Sequence, residues 1–252
     1  MQAVLYVGHG SRVKEAAEEA ASFIKQTMEK VDGFIQEYCF LELSPPTIMQ
    51  GVKRCVERGA TRIAVVPVLL LSAGHAKRDI PKDLEKARQT YPDVTFTYGR
   101  PLGVHPMMVD VIAHKISEKK PLTGDMNILL VGRGSSDPDT LEDVQAITQL
   151  LKERLTVQSV DYCFLAAAQP RFNQKIVDTA LSGKKNVIVL PYLLFTGILM
   201  NEVKSAVAQL PLQEDQTFVI CDYLNGHPHL NQLLKDRVLE AVQGKVELMK
   251  KN

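Results

Sequence analysis

Short runs of aliphatic and β-branched residues alternate along this chain with longer stretches whose apolar positions recur every three or four residues. That alternation is the signature of βα units and predicts an α/β fold with mostly parallel sheets flanked by helices. Strands are expected near 2–7, 34–42, 62–68 and 93–98, and again near 127–132, 159–166, 186–191 and 216–221. Helices are expected at 13–28, 46–58, 76–91 and 106–119, then at 138–155, 170–182, 200–209 and 228–249. In the first of them, Ala16, Ala17, Ala20, Ala21, Ile24 and Met28 share one face, with Lys14, Glu15, Glu18, Glu19 and Lys25 mostly elsewhere. Pro46 suits a first helical turn, which sets the start of the second.

The pattern occurs twice. Leu5-Tyr6-Val7-Gly8-His9-Gly10-Ser11 returns as Leu129-Leu130-Val131-Gly132-Arg133-Gly134-Ser135, a shift of 124 positions. The same shift lays Cys39-Phe40-Leu41-Glu42 on Cys163-Phe164-Leu165-Ala166, and Arg62–Pro67 on Asn186–Pro191. Gly103-Val104-His105-Pro106 reappears, slipped by two, as Asn225-Gly226-His227-Pro228. Two similar lobes are therefore expected, 1–121 and 122–252, each a mostly four-stranded parallel sheet with flanking helices. The polar stretch 119–125, broken by Pro121 and Gly124, is the linker.

An internal repeat separates what the fold needs from what one half has added. In a parallel α/β sheet, ligands bind beyond the carboxyl ends of the strands. His9 follows the first strand, Glu42 ends the second, and His75 lies in the loop after the third. Their counterparts are Arg133, Ala166 and Leu199, so the fold itself requires none of the three. Two imidazoles and a carboxylate form a borderline-soft donor set suited to Fe²⁺, Co²⁺, Ni²⁺ or Zn²⁺ and poorly matched to Mg²⁺. Three protein ligands leave coordination positions open, as catalysis requires. Each residue also has a plainer reading. His9 can be a loop histidine bonded to its neighbours, His75 can sit beside a helix start, and Glu42, before Ser44-Pro45-Pro46, can serve the helix that follows.

Other features narrow the field. His105 and His227 precede proline in both halves and belong to the structure of the loops before helices, while His114 and His229 read as surface or packing residues. Arg54, Arg58 and Arg62, at i, i+4 and i+8, mark a solvated face. The four cysteines occur singly, and Cys39 and Cys163 sit in matching strand-like runs, which favours buried thiols over disulfides or an iron–sulfur site. G-x-G-x-x-G is incomplete at Gly8 and at Gly132, which argues against a nicotinamide cofactor. Thirty basic and twenty-nine acidic side chains leave a formal charge of +1, so nothing points to a nucleic-acid partner or a membrane surface. With no leader pattern and no apolar run near the ~20 residues that span a bilayer, a cytoplasmic protein is expected.

Gly8-His9-Gly10-Ser11-Arg12, the Phe40-Leu41-Glu42 strand end and Leu70-Leu71-Ser72-Ala73-Gly74-His75 resemble the class II tetrapyrrole chelatases, in their long two-lobed form. The resemblance covers essentially the whole chain. It implies insertion of Fe²⁺ or Co²⁺ into sirohydrochlorin, with His9 and His75 binding metal and assisting proton removal and Glu42 beside them. The metal is then a substrate, and no tightly bound cofactor is expected. The chain ends without the histidine-rich or cysteine-containing extension of some cobalt-inserting relatives, which favours iron. The macrocycle carries carboxylates and needs cations; Ser11, Arg12, Lys77, Arg78 and Arg133 are the candidates nearest the loops. Cobalt or nickel insertion, or a non-catalytic tetrapyrrole or metal carrier, are the alternatives. A duplicated chain already supplies both lobes, so a monomer is expected.

Overall fold

The computed structural model describes residues 1–244. Strands β1 (Gln2–Gly8), β2 (Ile35–Phe40), β3 (Arg62–Val68) and β4 (Thr95–Tyr98) form one wholly parallel sheet in the order β2-β1-β3-β4. Strands β5 (Met126–Gly132), β6 (Ser159–Phe164), β7 (Asn186–Tyr192) and β8 (Thr217–Ile220) form a second with the equivalent order, β6-β5-β7-β8. Ala3–Val7 and Ile63–Val66 are almost without solvent exposure, as expected of central parallel strands covered on both faces.

The helices are α1 (Lys14–Met28), α2 (Ile48–Glu57), α3 (Ile80–Thr90), α4 (Pro106–Ser117), α5 (Pro138–Arg154), α6 (Phe172–Leu181), α7 (Ile198–Ala208) and α8 (Pro228–Val242). The helix expected at 228–249 runs to Val242, and residues 245–249 lie outside the described residues. The buried stripe of α1 is Ala16, Ala20, Phe23, Ile24 and Thr27, with Ala17, Ala21 and Met28 on its half-buried flank.

One expectation is corrected. Helix α2 does not begin at Pro46. Thr47 is its N-cap, and a capping box joins Thr47 and Gln50 in both directions. The Pro46 carbonyl instead accepts from the Phe40 N–H at 2.8 Å. Arg54, Arg58 and Arg62 are all exposed, as a solvated face requires. Arg58 lies at the C-cap of α2, bonded to Glu37 at 2.6 Å, and Arg62 opens β3.

The repeat and the compact units divide the chain differently. Among the described residues, one unit comprises Met1–Gly103 together with Leu230–Gly244, and the other comprises Val104–His229. Each half's last helix thus belongs to the unit built from the other half's sheet. Within the first unit, α8 is fastened by Arg237, whose guanidinium donates to the carbonyls of Pro101 (2.8 Å) and Leu102 (2.6 Å) and to Glu240. Within the second, α4 contacts α5, and Lys115, at the place matching Arg237, is buried beside Glu118 at 3.2 Å. Both helices start from a histidine before proline. Nδ1 of His105 accepts from the Met107 N–H, and Nδ1 of His227 from the His229 N–H, each at 3.2 Å.

Candidate metal centre

Three loops at the carboxyl edge of the first sheet bring His9, Glu42 and His75 together, with one ligand atom from each lying within 4.8 Å of the others. Among the described residues it is the one such group of His, Cys, Asp and Glu. The four cysteines are buried free thiols, and burial holds those of Cys163 and Cys221 up at about 12, so they offer no competing thiolate.

The first loop is held against the second by backbone. β2 ends at Phe40, two residues short of Glu42, but the ladder continues through Leu41 N–H to the Gly8 carbonyl (2.8 Å) and Glu42 N–H to the His9 carbonyl (3.1 Å). Gly10 permits this approach. Its φ is +91°, and a Cβ there would fall 1.8 Å from the Glu42 carbonyl oxygen. Beyond Glu42 the chain reverses in a γ-turn, with Leu43 at φ +64° and the Ser44 N–H bonded to the Glu42 carbonyl at 2.8 Å.

His75 opens a π-type turn, His75–Asp79, which leads into α3. Pro81 supplies a cause, because a proline has no N–H to give the carbonyl four residues back and its ring crowds that carbonyl. Such wide turns recur at functional positions. The buried Tyr98 hydroxyl anchors this one by donating to the Ala76 carbonyl at 2.7 Å.

Hydrogen bonds fix how the two imidazoles face each other. His9 Nδ1 lies 2.9 Å from the Gly10 carbonyl, and His75 Nδ1 lies 2.8 Å from Oδ2 of Asp79. Both partners are acceptors, so each Nδ1 carries the proton and each Nε2 carries a lone pair. The two Nε2 atoms are 3.2 Å apart, and Glu42 Oε1 is 3.5 Å from that of His9. Two lone pairs and a carboxylate turned on one point repel unless a cation lies between them. Bonds of about 2.0–2.1 Å from nitrogen to a first-row divalent metal place two cis ligands roughly 3.0–3.4 Å apart. The side chains of His9, His75 and Glu42 are 31%, 28% and 49% exposed, so the centre opens to solvent on one side.

The remaining candidates are placed less tellingly. The Ser11 hydroxyl accepts from the Val13 N–H at 3.1 Å, a local bond at the entry to α1. Arg12 and Arg78 are exposed and Lys77 is half-buried, all on the same loops, with the Arg78 guanidinium folded back over Gly74. Arg133 is exposed on the matching loop of the second unit. Asp79 was not anticipated, although its i+4 spacing from His75 was the available signal.

Three side chains that could hold a metal ion, on the strand-to-helix loops of a parallel sheet, mark an α/β protein of duplicated architecture with a candidate metal site. The chain belongs to the CbiX family, whose model matches residues 3–119 and again 127–241. It is 47% identical to the sirohydrochlorin ferrochelatase of Priestia megaterium, over 97% of this chain and 92% of that one. It is 36% identical to the sirohydrochlorin cobaltochelatase of the same organism, over 98% and 82%. Its fold matches that of SirB from Bacillus subtilis with Fe³⁺, with a TM-score of 0.88 and 40% identity over 97% of this chain and 96% of that one.

Proposed function

We propose that this chain inserts Fe²⁺ into sirohydrochlorin to form sirohaem, with His9, His75 and Glu42 as the residues that hold the ion and take up protons. The observation that carries the reading is the pair of Nε2 lone pairs facing each other across 3.2 Å beside the Glu42 carboxylate. The likeness to a sirohydrochlorin ferrochelatase over nearly the full length supports iron as the metal.

Insertion exchanges both pyrrole N–H protons of the macrocycle for one dication. While Fe²⁺ is held, the imidazole lone pairs and the carboxylate are satisfied by it. As the ion passes to the pyrrole nitrogens, the same atoms lose their cation and turn on one another again. A proton shared between the imidazoles relieves that repulsion, and Glu42 can accept the second, so the atoms that release the metal are those that collect the protons. Arg12, Lys77 and Arg78, on the loops that carry His9 and His75, are assigned to the macrocycle carboxylates, with Ser11 beside Arg12. The reading includes a monomer in the cytoplasm; among the described residues no helix is long and apolar enough to cross a membrane.

Cobalt insertion at the same ligands is the second reading, motivated by the likeness to a cobaltochelatase over 98% of the chain. Anaerobic assays with sirohydrochlorin and either metal, alone and in competition, decide between them by the ratio of kcat/KM. His9→Ala and His75→Ala are each expected to lower turnover by roughly 10²-fold or more. Wild-type turnover in both variants overturns the assignment, and binding of the macrocycle without a metallated product establishes a carrier instead.

A further inference from the structure

We infer that Asp79 is a positioning residue for the metal step, holding His75 in the single tautomer and ring orientation that present Nε2 to the ion. The inference rests on His75 being a metal ligand, as proposed above. Asp79 Oδ2 accepts from His75 Nδ1 at 2.8 Å while Nε2 of the same ring lies 3.2 Å from that of His9. A carboxylate on the distal nitrogen of a ligating imidazole fixes the tautomer, restrains the ring and makes the ligating nitrogen more basic.

Two further observations separate this role from an ordinary helix-start aspartate. Asp79 has helical backbone angles, φ −75° and ψ −49°, where the wide turn runs directly into α3, so there is no open helix start for it to cap and its side chain makes no capping bond. Its carboxylate is turned to the imidazole instead, and with half its side-chain surface exposed it does not serve the core. The internal repeat gives the second. The residue matching Asp79 is Val203, fully buried in α7, and the residue matching His75 is Leu199. The histidine and its carboxylate are present together in one unit and absent together from the other.

The pair also completes the charge of the site. Glu42 alone gives a dication one negative charge, and Asp79, acting through the imidazole, brings a second close by without occupying a coordination position. That leaves open the positions the macrocycle nitrogens must reach.

The test is a titration of the full chain with Co²⁺, read as dissociation constant and visible d–d spectrum. Wild type is compared with Asp79→Ala, Asp79→Asn, His75→Ala and the Asp79→Ala/His75→Ala double variant. Asp79→Ala is expected to weaken Co²⁺ binding about 10–100-fold and to shift the d–d band, with the thermal melt unchanged. Asp79→Asn, whose amide oxygen still accepts from Nδ1, is expected to recover part of the affinity. In the His75→Ala background, removing Asp79 is expected to change nothing. Wild-type affinity in Asp79→Ala beside weakened binding in His75→Ala overturns the positioning role alone, as does an equal loss from Asp79→Ala in the absence of His75. Wild-type affinity in His75→Ala overturns the ligand assignment and this inference with it.

Discussion

The two units share their strained backbone and differ in the side chains mounted on it. Gly10 and Gly134 have φ of +91° and +86°, and a Cβ on either would fall within 1.9 Å of a carbonyl oxygen, that of Glu42 or of Ala166. Leu43 and Ala167 hold φ of +64° and +54° in matching γ-turns, a conformation that costs roughly 1–2 kcal/mol for a residue with a Cβ. Strain at a functional loop invites a functional explanation, but here it recurs where Arg133, Ala166 and Leu199 leave no metal ligands. It belongs to the way a β-strand hands over to the next loop in this fold. What the comparison isolates is the candidate site, His9, Glu42 and His75 with Asp79 bonded to His75, on a scaffold that exists without them.

A second contrast lies in how each unit holds the final helix of the other half, and it carries the largest expected effect. Arg237 is 3% exposed and satisfies two backbone carbonyls besides Glu240, whereas its counterpart Lys115 is bonded to Glu118. Arg237→Ala leaves two buried carbonyls without their donor, while Glu240 keeps its two bonds from Arg100, so a loss of about 3–5 kcal/mol is expected. Lys115→Ala should cost markedly less. Urea denaturation of both variants checks this, and equal losses would mean that the carbonyl contacts contribute nothing beyond the ion pair.

The glycine pair gives the next largest effect and divides stability from chemistry. Gly10→Ala and Gly134→Ala are each expected to destabilise by roughly 2–4 kcal/mol, through the same positive φ and the same collision. Only Gly10→Ala should also weaken Co²⁺ binding, because only there does the displaced loop carry a proposed ligand, His9. Loss of binding in Gly134→Ala would show that the two units do not divide the work in this way.

How far the sequence discloses this depends on the kind of physics involved. Central parallel strands are buried on both faces and leave unbroken apolar runs, so Ala3–Val7 and Ile63–Val68 read as strands directly. The three candidate ligands stand out because the chain contains a second copy without them, and the structure brings one ligand atom of each within 4.8 Å of the others. The partner of each final helix was not, since both halves offer the same kind of apolar stripe and periodicity does not say which sheet a helix will cover. The start of α2 was missed by weighting Pro46 over the Thr47–Gln50 capping pattern. Asp79 escaped notice because an acidic residue in the first turn of an expected helix is ordinary, although its i+4 spacing puts it on the same face as His75.

The smallest expected effect separates the two histidine-capped helix starts by pH. His227 can accept from the His229 N–H only while its Nδ1 is unprotonated. Its pKa is lowered from the ordinary 6.5, first by burial and then by His229, His114 and Lys115, with Asp110 pulling weakly the other way. The rings of His114 and His229 both lie 4.8 Å from its own. A folded pKa below the unfolded one means that the unfolded chain binds more protons between the two values, so stability rises with pH across that window. The contribution of His227 is complete above about pH 6.5 and is lost as pH falls through the folded value. Asn accepts the same capping bond at any pH, so His227→Asn should keep most of the ~1 kcal/mol a cap provides and flatten the decline. Denaturation midpoints at about pH 7.5 and about pH 5.5 measure it. If His227→Asn declines as steeply as the parent chain, the acid sensitivity lies in other groups and the lowered pKa of His227 has no thermodynamic consequence for the fold.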